Sequence, residues 1–332
     1  MPDPTPVDLF RGLAVMVEPP GASHAALAGA LGLPAVPVSA EYSDVFLFQL
    51  YPYASVHLGA EGMMGGEARD RIAGFWRAVG LTPPAEPDHL AALLGLYASL
   101  AEREGGAEDP AEVVLLRESR RALLEEHLTP WVFAFLARVR ELTSGTYERW
   151  AALLEEALML EVGALAEGRA DGAGHTTLSS HLQSAPPLPD PREEGGAAFL
   201  AGLLAPVCSG AFLTRADLAL LAQRLELGLR AGERRYALES LLAQDAEGVL
   251  RGLANEVRRQ AEAHRGRAGI VGPSAAFLAE RAESAAALLE ALAVEAAETA
   301  GTEGGPEALR AGDTPGPPSG MTTRAPGRGP GS

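Results

Sequence analysis

The chain contains 332 residues, of which 47% are hydrophobic and 21% are charged, so it can bury the core of one large domain or two modest ones. All 27 basic residues are arginine, which excludes Schiff-base lysines and the lysine of phosphate-binding loops. The net charge of -17 argues against non-specific nucleic-acid binding and favours a cationic or arginine-bearing partner.

The start of the chain and its apolar stretches indicate a cytoplasmic protein. Residues 1–12 carry acids and prolines instead of the basic start of a signal peptide, and the single cysteine, Cys208, is typical of a reducing compartment. The longest apolar stretch, residues 197–213, is shorter than a bilayer requires and is interrupted by Pro206 and Gly210. A buried helix followed by a turn explains this stretch better than a membrane span does.

The first clear helical pattern covers residues 39–50, where Tyr42, Val45 and Phe46 fall along one side. Glycine and turn residues then dominate residues 51–70, which predicts a long ordered loop of the kind that is often functional. From residue 68 onwards the apolar spacing is helical almost without interruption. No alternating strand pattern of useful length occurs.

The segment Glu86-Pro87-Asp88-His89 places two acids and a histidine at the start of one of these helices. Apolar residues three or four apart predict the helix itself, at positions Leu90, Leu93, Leu94, Tyr97 and Leu100. Because Asp88 can accept hydrogen bonds from free amides of a first helical turn, helix capping is the simplest interpretation of the tetrad. A catalytic constellation and a binding element remain alternatives.

A change of composition divides the chain after residue 167. The next 29 or so residues are rich in glycine, proline and serine, as in a linker, and a second helical block follows in which Thr214 to Asp217 predicts a capping box. The C-terminal residues contain too few large apolar side chains to compensate for the entropy of ordering, so we expect a dispensable, disordered tail. The sequence thus predicts an all-α protein made of a helical core, a flexible linker, a C-terminal helical region and a disordered tail, at residues 1–167, 168–196, 197–299 and 300–332.

The remaining reactive side chains form no convincing active site. His175 and His181 lie in the predicted linker without acidic or thiolate partners at ligand spacing, which favours a solvated loop over a metal site. The glycines of residues 59–66 lack the order of a phosphate-binding motif, and no serine lies in a hydrolase elbow. We therefore predict no catalytic residue, no metal and no cofactor.

Six short segments nevertheless occur in the order, and near the spacing, of one known family. They are Tyr42-Ser43-Asp44-Val45-Phe46, Pro52-Tyr53-Ala54-Ser55-Val56, GGEA at 65–68 with the helix end FWRAVG at 75–80, the tetrad at 86–89, EHLTPW at 126–131 and TYER at 146–149. Together they resemble the TorD/DmsD/NarJ group of cytoplasmic chaperones for molybdoenzymes. The tetrad resembles that family's signature Glu-Pro-x-Asp-His with one residue fewer.

The resemblance implies a TorD-like helical bundle with additional C-terminal helices, and a binding function instead of an enzyme. The implied partners are the catalytic subunit of a molybdopterin-dependent oxidoreductase and its twin-arginine signal peptide, held until the cofactor is loaded and export can proceed. Nucleic-acid binding and membrane insertion are not expected. Carried over residue by residue, the resemblance implies a peptide-binding groove formed by Tyr42, Val45, Phe46, Pro52, Tyr53, Glu86, Pro87, Asp88 and His89.

Two alternatives remain open on sequence grounds. A small-molecule or nucleotide hydrolase could use Asp88 and His89 as an acid/base pair, although it would need a third group and a substrate cavity. Weak guanine nucleotide binding is implied for some members of the resembled family. The other alternative is a helical scaffold that has kept the fold and lost its client.

Overall fold

The computed structural model describes residues 6–167, 178–230 and 232–303, and these residues are predominantly helical. Within these ranges no strand is present, and the prediction of an all-α fold is confirmed. The α-helices are α1 (Pro6–Met16), α2 (His24–Ala30), α3 (Ser39–Tyr42), α4 (Ala54–Leu58), α5 (Gly66–Ala78), α6 (Leu90–Gly106), α7 (Pro110–Ala122), α8 (Val132–Leu142), α9 (Thr146–Glu167), α10 (Ser180–Gln183), α11 (Pro191–Glu194), α12 (Gly196–Leu203), α13 (Pro206–Ser209), α14 (Arg215–Arg224), α15 (Arg234–Leu242), α16 (Ala246–Val271) and α17 (Pro273–Glu303).

Helix α6 lies at the centre of the first of two core clusters. Its five apolar positions identified from the sequence are all buried there, so the predicted helix and its buried face are confirmed. Removing each such side chain from water contributes about 2 kcal/mol of transfer free energy. Trp150 lies in the same cluster, and its indole N–H donates to the Leu13 carbonyl at 3.0 Å, which satisfies the polar atom of a fully buried ring.

Two π-helical segments extend α-helices without a break: Ser43–Gln49 follows α3, and Leu123–Leu128 follows α7. The first segment buries Val45 and Phe46, whereas Phe48 remains 51% exposed. Because π-helical turns are rare and occur frequently at functional sites, this exposed aromatic residue is notable.

A largely buried network of charges connects α6, α7 and α9. Arg120 donates to Glu104 at 2.7 Å and to Glu161 at 2.5 Å, and the Tyr97 hydroxyl also donates to Glu161. Burial is the main cause of the raised pKa of Tyr97, so this hydroxyl keeps its proton and acts as a donor. Loss of one partner would leave a charge without compensation, which is more destabilising than loss of a surface ion pair.

The C-terminal helices pack directly on the N-terminal ones. They bury a second core cluster, in which α16 and α17 form a helical hairpin that turns at Gly272. Phe212 and Leu278, however, belong to the first cluster. The contact between the two halves is therefore itself part of the hydrophobic core.

His57 of α4 is the aromatic centre of this contact. Its ring stacks between Trp131 and Phe212, with centroid distances of 4.9 and 5.0 Å. Nε2 of His57 lies 2.9 Å from the Tyr51 carbonyl oxygen. Burial lowers the pKa of His57 to about 3, so the ring is neutral and packs as an aromatic side chain.

An ion pair also joins the two halves. The buried Arg138 donates through Nη2 to both carboxylate oxygens of Asp217, each at 2.6 Å. Asp217 and Thr214 form the capping box of α14, as predicted from the sequence. The amide of Ala216 donates to Gln49 Oε1 at 3.0 Å, which fixes the start of α14 beside the first π-helical segment.

Some segments differ from the sequence-based predictions. The predicted loop at residues 51–70 contains α4 and the start of α5, because Asp88 supplies a distant acceptor for the amides of α4. Of the predicted linker, residues 178–196 are described; they include α10, α11 and the first residue of α12, and Leu182 is buried in the first core cluster. Helix α17 reaches Glu303, and the expected tail beyond it lies outside the described residues. The division into domains stays a prediction.

None of the helices in the described ranges has the length and apolar composition that a membrane crossing requires.

The close packing of α13 against α17 depends on Gly210. This residue has a φ of +70°, and a Cβ here would lie 2.4 Å from both the Ala282 nitrogen and the Leu278 oxygen. The carbonyl oxygen of Gly210 also lies 3.0 Å from Nε2 of His264. Only glycine fits both the backbone conformation and the space.

We expect Gly210→Ala to lower the free energy of unfolding by about 3 kcal/mol, because left-handed strain adds to the displacement of α17. Gly80→Ala is the matched control, since Gly80 has a φ of +79° and no atom lies within 4 Å of the position that its Cβ would take. Urea unfolding of both variants measures the difference. Equal losses would show that the close approach to α17 contributes nothing.

Candidate functional site

The predicted site residues meet where the segment at 52–55 lies beside the segment at 86–90. The amide of Ala54 donates to the Asp88 carbonyl at 2.9 Å, and the amide of Leu90 donates to the Pro52 carbonyl at 2.8 Å. Tyr53 and His89 form an isolated antiparallel bridge between these two bonds. We call this pair of segments the interlock.

Asp88 caps a different helix from the one predicted. Its side chain is buried, and Oδ2 accepts a hydrogen bond from the Ser55 amide at 3.2 Å, in the first turn of α4. The N-cap of α6 is instead His89, whose Nδ1 accepts from the Ala91 amide at 3.1 Å. The prediction that Asp88 caps α6 is therefore wrong, because a partner 33 residues away competes for its carboxylate.

His89 is held neutral at the edge of the interlock. Burial lowers its pKa, although the nearby carboxylates of Glu86 and Asp88 act in the opposite direction. Because Nδ1 is an acceptor, the proton of the neutral ring lies on Nε2. The His89 ring packs edge-on against the Tyr53 ring, with centroids 4.8 Å apart.

Tyr53 and Glu86 form the part of the interlock that reaches the surface. The Tyr53 ring is half-buried; burial is the main cause of the raised pKa of Tyr53, and the nearby Glu86 carboxylate raises it further. Glu86 itself is exposed. Pro87 is buried, and its carbonyl accepts from the indole of Trp76 at 3.2 Å.

The three predicted residues of the aromatic helix lie behind this surface. Val45 and Phe46 are fully buried, and the Phe46 ring packs edge-on against Tyr147 at a centroid distance of 4.9 Å. Tyr42 is buried except for a small exposed fraction. Burial is the main cause of the raised pKa of Tyr42, and the negative charge of Glu86 also contributes to it. Tyr42, Val45 and Phe46 thus belong to the core behind the interlock, whereas Tyr53 and Glu86 face outward.

Sequence reasoning missed a buried histidine pair. His127 and His181 lie 3.0 Å apart, Nδ1 to Nε2, and Phe75 packs edge-on against His127 at 5.0 Å. Burial lowers the pKa of His127 to about 3 and that of His181 to about 4. The expectation that His181 lies in a solvated loop is wrong, whereas His175 lies outside the described residues.

Metal and thiol chemistry receive no structural basis in the described part of the chain. Within it, no group of three or more histidine, cysteine or acidic side chains could hold a metal ion. Burial raises the pKa of the Cys208 thiol to about 11, so the thiol stays protonated at neutral pH.

The relationship to known proteins rests on one part of the chain. Residues 21–137 match the family of the nitrate reductase delta subunit. This is a family of molybdoenzyme maturation chaperones and not of enzymes. The match covers about a third of the chain and includes all nine predicted site residues.

Neither the curated proteins nor the solved structures include a significant match to this chain. The match of residues 21–137 confirms the resemblance at the level of a chaperone family. The finer assignment to the TorD/DmsD branch stays a prediction.

We expect Asp88→Ala to lower the free energy of unfolding by about 1 to 2 kcal/mol, because the buried Ser55 amide loses its acceptor. Asp88→Asn should cost clearly less, since asparagine retains an acceptor of the same length. Glu86→Gln serves as an exposed control from the same tetrad. Urea unfolding that shows equal losses for the two Asp88 variants would contradict this capping role.

The histidine pair predicts a dependence of stability on pH. The folded-state pKa values of about 3 and about 4 lie below the ordinary value of 6.5, so the unfolded chain binds protons first as the pH falls. The stability that the pair contributes is present above pH 6.5 and is lost as the pH falls from 6.5 to about 4 for His181 and to about 3 for His127.

The double variant His127→Phe with His181→Phe should show a shallower decline over this pH range in urea unfolding experiments. Part of the decline should remain, because burial also lowers the pKa values of His57 and His264. Identical slopes for the wild type and the double variant would exclude the pair as a source of the pH dependence.

Proposed function

We propose that the protein is a cytoplasmic maturation chaperone that binds the twin-arginine signal peptide and the apo form of a molybdenum-dependent oxidoreductase. The observation that carries this proposal is the match of residues 21–137 to a maturation chaperone family. The interlock lies inside the matched segment and gives it a defined surface. The chaperone would hold its client until the cofactor is inserted, and so delay export.

The exposed edge of the interlock suits the cationic pair of such a peptide. Glu86 is exposed and lies close to the rings of Tyr53 and Tyr42, so an arginine there could meet a carboxylate and an aromatic ring together. The buried predicted residues would act as the support of this surface. Asp88 connects the two backbone segments through the Ser55 amide, and His89 caps α6 beneath this surface.

The overall charge favours the same kind of partner. A net charge of -17 produces a negative potential that attracts an arginine-bearing segment and speeds its association. Such steering is weakened by salt, because the Debye length falls to about 8 Å at physiological ionic strength. Local contacts at Glu86 are therefore needed for specificity.

The hydrolase alternative is not favoured by the geometry of the interlock. The Asp88 carboxylate accepts from the Ser55 amide, and Nδ1 of His89 accepts from the Ala91 amide. Both side chains are thus engaged in capping helices, and the lowered pKa of His89 keeps its ring neutral. The scaffold alternative differs from the proposal in one respect: in the scaffold alternative the protein has no client.

We expect the full chain, purified from its native host, to capture the catalytic subunit of a molybdoenzyme, which mass spectrometry identifies. A synthetic twin-arginine peptide should bind the purified chain, and Glu86→Gln should weaken this binding about threefold, as expected for one exposed charge pair. A peptide in which both arginines are replaced by glutamine should bind weakly to both forms.

Glu112→Gln is the matched control for this measurement. It removes the same charge from another exposed position, in the first turn of α7, and leaves the interlock intact. Equal losses of affinity for the two variants would mean that only the net charge acts. Absence of any molybdoenzyme from the captured material would favour the scaffold alternative.

A further inference from the structure

A second surface lies where the first π-helical segment meets the C-terminal helices. Its apolar part consists of Phe48, Met63 and Met64, which are 51%, 66% and 60% exposed. They border a cavity of about 580 Å³ that is also lined by Arg215 and Arg234. We call this surface the methionine groove.

Both walls of the methionine groove are held in place by specific contacts. The loop that carries the two methionines packs Gly62 against the connection between α12 and α13, where a Cβ would lie 3.3 Å from the Leu204 oxygen. The amide of Gly65 donates to the Ser55 hydroxyl at 3.1 Å, which fixes the other end of the loop. Large exposed apolar side chains on a fixed loop are typical of a binding surface.

The two arginines of the groove lack the partners that most other arginines of this protein have. In the described residues, neither Arg215 nor Arg234 lies within ion-pair distance of a carboxylate, whereas Arg235 beside them pairs with Glu239 at 2.9 Å. Arg234 donates only to the Leu213 carbonyl, at 2.7 Å. The Arg215 guanidinium lies 6.0 Å above the ring of Phe48.

Two positive charges thus border one cavity, and neither forms an ion pair in the described residues. Burial is the main cause of the lowered pKa of Arg234, and the nearby Arg215 lowers it further. Two carboxylates, those of Glu61 and Glu233, also border the cavity, but neither forms an ion pair with the two arginines in the described structure. A carboxylate placed between Arg215 and Arg234 would relieve their repulsion and accept hydrogen bonds from both.

We propose that the methionine groove binds an apolar segment of a partner protein that carries an acidic side chain. The apolar side chains would contact Phe48, Met63 and Met64, and flexible methionines suit partners of varied shape. The acidic side chain would bind Arg215 and Arg234. This preference is opposite to that of the interlock, where a carboxylate faces a cationic peptide, so the two surfaces bind different segments and the inference does not depend on the proposed chaperone role.

The test uses the full chain and a pair of fluorescent eight-residue peptides of leucine and alanine, one with a central glutamate and one with glutamine in its place. We expect the glutamate peptide to bind about tenfold more tightly, as charge-assisted hydrogen bonds predict. The double variant Arg215→Gln with Arg234→Gln should abolish this difference. Met63→Ser with Met64→Ser should weaken both peptides alike.

Arg251→Gln is the matched control, because Arg251 is an exposed arginine on α16 that pairs with Glu247. It should leave the affinity of both peptides unchanged. Equal binding of the two peptides to the wild type, or an undiminished preference in the arginine double variant, would overturn the proposal. Dimerisation in sedimentation experiments that the arginine double variant abolishes would also overturn it, by identifying a second copy of the chain as the occupant.

Discussion

The hydrogen bond from the Ser55 amide to the Asp88 carboxylate is the contact on which the arrangement of the molecule depends. It joins the start of α4 to the segment that leads into α6, and a carboxylate is a favourable partner for the amides at the N-terminus of a helix. Once α4 is fixed, His57 lies between Trp131 and Phe212. The Asp88 carboxylate thus helps to position the helix whose His57 packs against the C-terminal half.

The fold also requires that buried arginines retain the carboxylates with which they form ion pairs. Arg138 and Asp217 belong to different halves of the chain and meet with two hydrogen bonds of 2.6 Å. Breaking such a pair on one side leaves a charge in a medium of low polarity, whereas replacing both partners by apolar residues can be nearly neutral. The Arg138–Asp217 pair therefore contributes more to specifying one packing geometry between the two halves than to stability.

Local patterns predicted the parts of the fold that local physics decides. The apolar spacing of α6 and the capping box at Thr214 were correct, because helix periodicity and first-turn capping involve residues close in sequence. Asp88 and His181 were misjudged for the opposite reason. Their partners, Ser55 and His127, lie 33 and 54 residues away, and no property of the neighbouring sequence reveals them.

The candidate site shows the same limit. The family resemblance predicted that the residues of the interlock belong to one site, but it did not predict which of them face outward. The methionine groove was not identified at all from the sequence. Its one local signal is a pair of adjacent methionines in a glycine-rich segment, while Arg215 and Arg234 join it only through the docking of α14 and α15.

The exclusive use of arginine has a consequence for alkaline conditions. Each ion pair in the described ranges takes its cation from arginine, as in Arg258 with Glu290, and arginine keeps its proton above pH 12. After the Cys208 thiol, whose pKa is about 11, the next buried groups to respond to high pH are the tyrosines. Burial raises the pKa of Tyr97 and Tyr147 above the ordinary value of 10.0, so the unfolded chain loses these protons before the folded one does. Base should thus unfold the protein by ionising phenols while the arginines still carry their charge, and ultraviolet absorbance of tyrosinate during an alkaline titration would follow the ionisation of the phenols.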